Sequence, residues 1–291
     1  MARCTLLATS LAGLLVALPA LAVLTPRAAR ADDQPEGTQP LAYSARPLTL
    51  PGLTLSPSAS ATLDKLSTTT ATKIYTQNPK TLNLGVDIGA SFGIVDNIEV
   101  GAVFAPLQVL PGFSYGNPSA HGTFRFVKSA FELAGYINTT FITHNAPNPD
   151  VVLPVLNQSA GVLLQPGLLS RIHMGSKAKL DIGATVPIQL GSAVHDVGLD
   201  VPVELAINLI DAFHIGAQSG FGIQNVKSPA LDSYIPLGLI TGFAIGSDKG
   251  PTVDIDALFR FPQFVNPGQS EKIDATDFQA GLSVAVYLYF M

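Results

Sequence analysis

The chain has 291 residues, with 26 glycines, no tryptophan and only 13% charged residues, about half the usual share for a soluble domain. Its formal charge of −5 excludes a nucleic-acid binder, which needs a basic footprint. A single cysteine, Cys4, rules out a disulfide framework.

The first 31 residues read as a secretory signal peptide: Arg3, an apolar run over 6–24, and Ala29-Arg30-Ala31 ahead of Asp32. An uncleaved anchor is the alternative, since the run approaches the length that spans a bilayer. Pro19 breaks the run near its end, however, and the small-x-small pattern is well placed for cleavage. No cysteine follows, so lipoprotein processing is excluded. Cleavage removes Cys4 and three arginines (Arg3, Arg27, Arg30) but no acid, taking the formal charge from −5 to −8. No later segment has about eighteen consecutive apolar residues, so no transmembrane helix is expected.

Residues 32–53 (DDQPEGTQPLAYSARPLTLPGL) are rich in proline and polar residues and lack periodicity, which reads as an irregular leader. A weak alternation begins near residue 54 (Leu55, Pro57, Ala59, Ala61, Leu63), followed by a polar loop over 67–79. The pattern then sharpens. Leu82, Leu84, Val86, Ile88, Ala90 and Phe92 alternate with polar or small residues, and a tight turn at Asp96-Asn97 leads into Ile98, Val100, Ala102 and Phe104. That is a hairpin. A Pro- and Gly-containing loop over 106–118 precedes strands 120–127 and 131–143, joined at Lys128-Ser129-Ala130. After a loop over 144–154 come strands 159–174 and 178–189, joined at Gly175-Ser176-Lys177. A loop over 191–198 leads to strands 200–209 and 213–223, joined across Asp211; a loop over 225–232 leads to strands 234–246 and 252–261. Residues 262–277 form the last loop. The segment around Gly93–Ala102 echoes that around Asn208–Ala217, as a repeated hairpin unit would.

The closing stretch, 281–290, puts Leu282, Val284, Val286, Leu288 and Phe290 on one face and Gly281, Ser283, Ala285, Tyr287 and Tyr289 on the other. A chain that ends on such a strand, after an even number of strands joined alternately by short turns and longer loops, resembles the Gram-negative outer-membrane β-barrels. Phe290 is penultimate where that superfamily usually places its aromatic last. A soluble periplasmic sandwich is the competing reading, but here one face is almost uniformly apolar while the other carries the charge.

The resemblance implies an all-β chain: a closed antiparallel up-and-down transmembrane β-barrel of about twelve strands over 54–291, with short periplasmic turns and longer extracellular loops. It implies export through the periplasm to the bacterial outer membrane, with outer-membrane lipid and the barrel-assembly machinery as partners. The leader is then a periplasmic segment or a plug in the barrel mouth. The expected function is a passive channel or transporter for small solutes. Alternatives are a carrier of hydrophobic molecules with the leader as plug, a closed structural or surface-binding barrel acting through its loops, and, last, an enzyme. Eight strands leave a filled interior and sixteen an aqueous channel, so twelve allows a narrow pore or a plugged barrel.

The face opposite the apolar set carries Asp87, Glu99, Glu132, Asp181, Glu204, Asp254 and Asp256 as acids and Arg125, Arg171, Lys179 and Arg260 as bases, with His121, His173 and His214. Most should pair across strands. Asp254 and Asp256 stand out as an acidic pair on one face, placed to favour cations.

No catalytic, metal or cofactor pattern emerges. No histidine has a serine two residues on, as the outer-membrane phospholipase requires. His195-Asp196 with Asp200 sits on an expected extracellular loop, where omptin-type proteases place acidic and histidine pairs, but adjacent residues point apart and no second acidic pair accompanies them. Sequons at Asn138 and Asn157 are chance matches in a bacterial barrel.

Overall fold

The computed structural model describes residues 40–65, 82–110, 113–142, 161–191, 195–227, 233–246, 252–267, 273 and 275–290. The signal-peptide reading of 1–31, the start of the leader and the loop expected over 67–79 lie outside the described residues.

Fifteen strands form one antiparallel sheet: β1 Thr54–Lys65, β2 Leu82–Val95, β3 Ile98–Leu110, β4 Ser114–Tyr115, β5 Ser119–Val127, β6 Phe131–Ile142, β7 Gly161–Met174, β8 Ala178–Thr185, β9 Ile188–Gly191, β10 His195–Val197, β11 Leu199–Ile210, β12 Phe213–Ile223, β13 Ser233–Ile245, β14 Thr252–Val265 and β15 Phe278–Tyr289. Twelve are full staves of a closed barrel, with β8 and β9 counting as one stave interrupted at Val186-Pro187 and β4 and β10 as additions at the rim. The ring shuts where β1, already paired with β2, also pairs with β15 from Thr54↔Tyr289 to Lys65↔Phe278. Closure leaves no edge of unsatisfied N–H and C=O groups, which lipid would not tolerate.

Strand extents differ from the sequence reading in three places. β3 runs on through Pro106 to Leu110, and β14 through Pro262 to Val265, where loops were expected. In both, the ladder to the next full stave has ended before the proline, β5 leaving β3 after Val103 and β15 leaving β14 after Arg260, though the short β4 still meets β3 at Leu107 and Gln108. A proline missing its N–H there costs no ladder bond, while the other neighbour still pairs, as at Asp87↔Pro106. Pro187 does break its strand, and the loop expected over 191–198 is part of a small hairpin, with His195–Val197 paired to Ile188–Leu190.

The alternation has the inverse of a soluble protein's burial. Leu239, Phe104, Leu282 and Phe124 are among many large apolar side chains exposed on the outer face, Leu239 to 64%. Lys179, Asp254, Arg125 and Glu132 are buried, Lys179 to 1% exposure. Such a surface suits hydrocarbon outside and a polar interior.

Leu205 lies on this outer face. Leu205→Arg is expected to cost about 2–4 kcal/mol of stability near the bilayer midplane. Leu205→Phe should be nearly neutral, because lipid accommodates bulk that a packed core resists. Urea titration of refolding into vesicles measures both; a Phe penalty as large as that of Arg would place Leu205 in a packed interior.

Candidate functional site

The short turns, at Asp96-Asn97, Lys128–Ala130, Gly175–Lys177 and Asp211-Ala212, gather at one end of the barrel, together with the start of β1 and the end of β15. Residues 40–53 lie inside the barrel at this end. Pro40, Pro47 and Pro51 deny the segment regular structure, and beyond one 3-10 turn at Tyr43–Ala45 it has none. Its polar groups are therefore satisfied by the barrel wall.

The wall meets it residue by residue. The Tyr43 hydroxyl donates to Glu204 Oε1 at 2.9 Å. Its ring stacks on His214 with centroids 4.0 Å apart, and Lys179 Nζ sits 3.6 Å from its centroid. Burial, and then the neighbouring Glu204 carboxylate, push the Tyr43 phenol well above its usual range, so it stays protonated and donates. Ser44 N donates to Asn208 Oδ1 (2.8 Å) and its hydroxyl to Ser176 O (2.9 Å), while His173 Nδ1 donates to the Ser44 carbonyl (2.8 Å). Leu48 N donates to Glu132 Oε2 at 2.7 Å and Leu50 N to Glu99 Oε2 at 2.8 Å. Thr49 Oγ1 reaches the Asp96 carbonyl, and Gly52 N reaches Asp96 Oδ1. Arg171 Nη1 donates to the carbonyls of both Arg46 (2.7 Å) and Pro47 (2.9 Å).

Arg46 is the centre of this arrangement. Its guanidinium forms a fork with Asp254, Nη2 to Oδ1 at 2.7 Å and Nη1 to Oδ2, and also donates to the carbonyls of Pro40 and Leu41. Tyr43 and Tyr287 lie 5.7 and 5.5 Å from it, ring centroid to guanidinium carbon. Arg46 is 5% exposed and Asp254 2%. Bidentate geometry is the strong form of such a pair.

The wall charges also pair among themselves. Arg171 forks onto Asp181 at 2.6 and 2.7 Å, Lys179 Nζ reaches Asp181 at 2.9 Å and Glu204 at 3.5 Å, and Arg125 Nη1 bonds Glu132 at 2.9 Å. Asp256 stands 3.5 Å from His214 and Glu99 3.4 Å from His121. Two sequence candidates lie elsewhere. Asp87 lines a small recess with Asp64, Asn83 and Gln108 between β1, β2 and β3. Arg260 bonds Gln279 and, with Asp200, Tyr234 and Leu48, lines an internal cavity of about 370 Å³ that also touches Arg171, Asp181 and Glu204.

One sequence expectation is overturned here. Asp254 and Asp256 do not form an unneutralised acidic pair. Asp254 is bound by Arg46, a residue of the leader and not of a strand, whereas Arg125 is committed to Glu132, and Arg171 and Lys179 to Asp181. The signal was present: Arg46 is the only basic residue between Asp32 and Asp64. The proposed His195, Asp196 and Asp200 grouping divides between strands, with His195 and Asp196 in β10 and Asp200 in β11. Among the described residues no group of three or more histidine, cysteine or acidic side chains is arranged to hold a metal.

No family model matches this chain, and no curated protein does. Among solved structures, the NanC porin superposes with a TM-score of 0.53, covering 80% of this chain and all of that one at 7% identity. The KdgM porin covers 81% of this chain and 99% of its own at 6% identity, with a TM-score of 0.47. The likeness to NanC is one of fold, a closed antiparallel β-barrel.

Gly93 is where the segment leaves the lumen, its carbonyl taking the Leu53 N–H at 2.7 Å. A Cβ at Gly93 would overlap the Pro51 carbonyl oxygen. Gly93→Ala is therefore expected to loosen residues 40–53 while leaving the barrel folded. Faster amide exchange confined to this segment would register it; unchanged exchange would show that the contact yields without cost.

Proposed function

We propose that this protein is a bacterial outer-membrane channel for small solutes, non-catalytic, whose short-turn mouth is closed by its own segment 40–53. The observation that carries the reading is the chemistry of that closure. The segment is held by hydrogen bonds, ion pairs and ring contacts to a polar wall, and a cavity of about 370 Å³ adjoins it. Contacts of this kind exchange with water and solute more readily than a packed apolar plug. The porin fold of NanC supports the same reading. Under it the short turns face the periplasm, and lipid and the barrel-assembly machinery are the protein's partners. A permanently closed barrel is the second reading, favoured by the burial of Arg46 and Asp254.

Planar bilayers separate the two. Ser44→Cys with Asn208→Cys places thiols where main chain and side chain already bond at 2.8 Å. The reduced protein should show stepwise conductance that disappears on oxidation and returns on reduction. Conductance insensitive to oxidation would remove the segment as gate; none in the reduced protein would leave the closed barrel.

Orientation has its own test. Lys128, at a short turn, and Val226, in a long loop, are both exposed. A cysteine at Val226 should react with an impermeant maleimide on intact cells, and one at Lys128 only after the outer membrane is permeabilised. The reverse pattern would invert the barrel.

A further inference from the structure

Arg46 is seated as a ligand would be. Two parallel N–H···O bonds to Asp254, aromatic rings on two sides and near-complete burial describe a receptor for a planar cation, filled here by a residue of a segment without regular structure. Most of what forms the receptor belongs to the wall: Asp254 and Asp256 on β14 and Tyr287 on β15, with His214 beside Asp256. Only Tyr43 and the carbonyls of Pro40 and Leu41 come from the segment.

Removing one partner of a buried ion pair strands the other, and the stranded charge is the dominant cost. If segment 40–53 leaves, Asp254 becomes that stranded charge. The Tyr287 hydroxyl bonds Asp254 and His214 stands beside Asp256, but the permanent cations of the wall are engaged elsewhere, Arg171 and Lys179 with Asp181 and Arg125 with Glu132. Asp254 is then open to a cation from outside, which can take the place of Arg46. An ammonium offers a point charge, whereas a guanidinium reproduces the fork and stacks on a ring. The cavity gives such a solute its approach, for it reaches Glu204, the acceptor of the Tyr43 hydroxyl.

We propose that the Asp254–Tyr287 pocket is a binding site for guanidinium-bearing solutes, that Arg46 is its tethered occupant, and that such a solute releases segment 40–53 by displacing Arg46. This deepens the channel reading, on which it rests, by naming the solute class.

The test follows the segment rather than the current. In the exported protein with Cys4→Ser, Thr49→Cys puts a thiol at a position 1% exposed on the segment. Its maleimide labelling is timed in L-argininamide, L-lysinamide and sodium chloride at equal ionic strength. Argininamide should accelerate labelling on the order of tenfold over the other two, since a ligand shifts a population only by its differential affinity. Asp254→Asn should label quickly without solute and gain nothing from argininamide. Arg46→Ala keeps the wall and removes the competitor, so it should bind argininamide saturably and more tightly than the parent in equilibrium dialysis. Equal acceleration by lysinamide or salt, or no saturable binding to Arg46→Ala, overturns the proposal. Labelling and binding need no conductance. The arginine-specific response without current would uphold the pocket and remove the channel reading, whereas current without that response would do the opposite.

Discussion

The structure depends on one pairing, that of β1 with β15. These are the first and last staves of the chain, so every other strand lies between them in sequence, and ten residue pairs from Thr54↔Tyr289 to Lys65↔Phe278 turn a ribbon into a closed wall. A ring has no edge, which lets the main chain sit in hydrocarbon with its polar groups satisfied. Closure also forces a choice of faces. Alternate residues point out or in, and large apolar side chains go to the face that meets hydrocarbon while polar ones go to the lumen. Leucines and phenylalanines accordingly face outward, and the charged set fills the interior.

A polar interior must be hydrogen-bonded throughout, because unmet polar groups away from bulk water are costly. The segment over 40–53 supplies partners that the strands cannot. Strand N–H and C=O groups are consumed in the ladders, but an irregular segment brings unpaired ones. Glu132 and Glu99 take its N–H groups and Arg171 and His173 its carbonyls. The interior charges thus hold the segment, and the segment adds to their hydrogen bonding.

The architecture was legible because a period of two survives any local irregularity: Leu282 to Phe290 or Leu82 to Phe92 can be read directly as a two-faced strand. Strand ends were less so. Pro106 and Pro262 look like terminators, and they fail to terminate because each lies beyond the end of one full-length ladder while the strand still pairs on its other side, a fact that belongs to neighbouring strands. The site was half legible. Alternation alone puts Glu132, Arg171 and Asp254 on the polar face. What fills the space between them has no period, so Arg46 could be seen in the sequence only as a lone base in a Pro-rich stretch. Its bond to Asp254, 208 residues away, depends on how the ring brings β14 round to the first stave.

Leu53 joins these two levels. It is the single non-glycine residue at positive φ among those described, 57°, a left-handed bend that turns the luminal segment into β1. Its N–H goes to Gly93 on β2 and its carbonyl takes the N–H of Phe290, just past the final stave. Both neighbours of the first stave therefore hold the bend. Without β15 and β14 in place the Leu53 carbonyl lacks its Phe290 donor and Arg46 lacks Tyr287 and Asp254, so the seat of the luminal segment is complete only when the ring is. A seated segment is thus the mark of a closed ring.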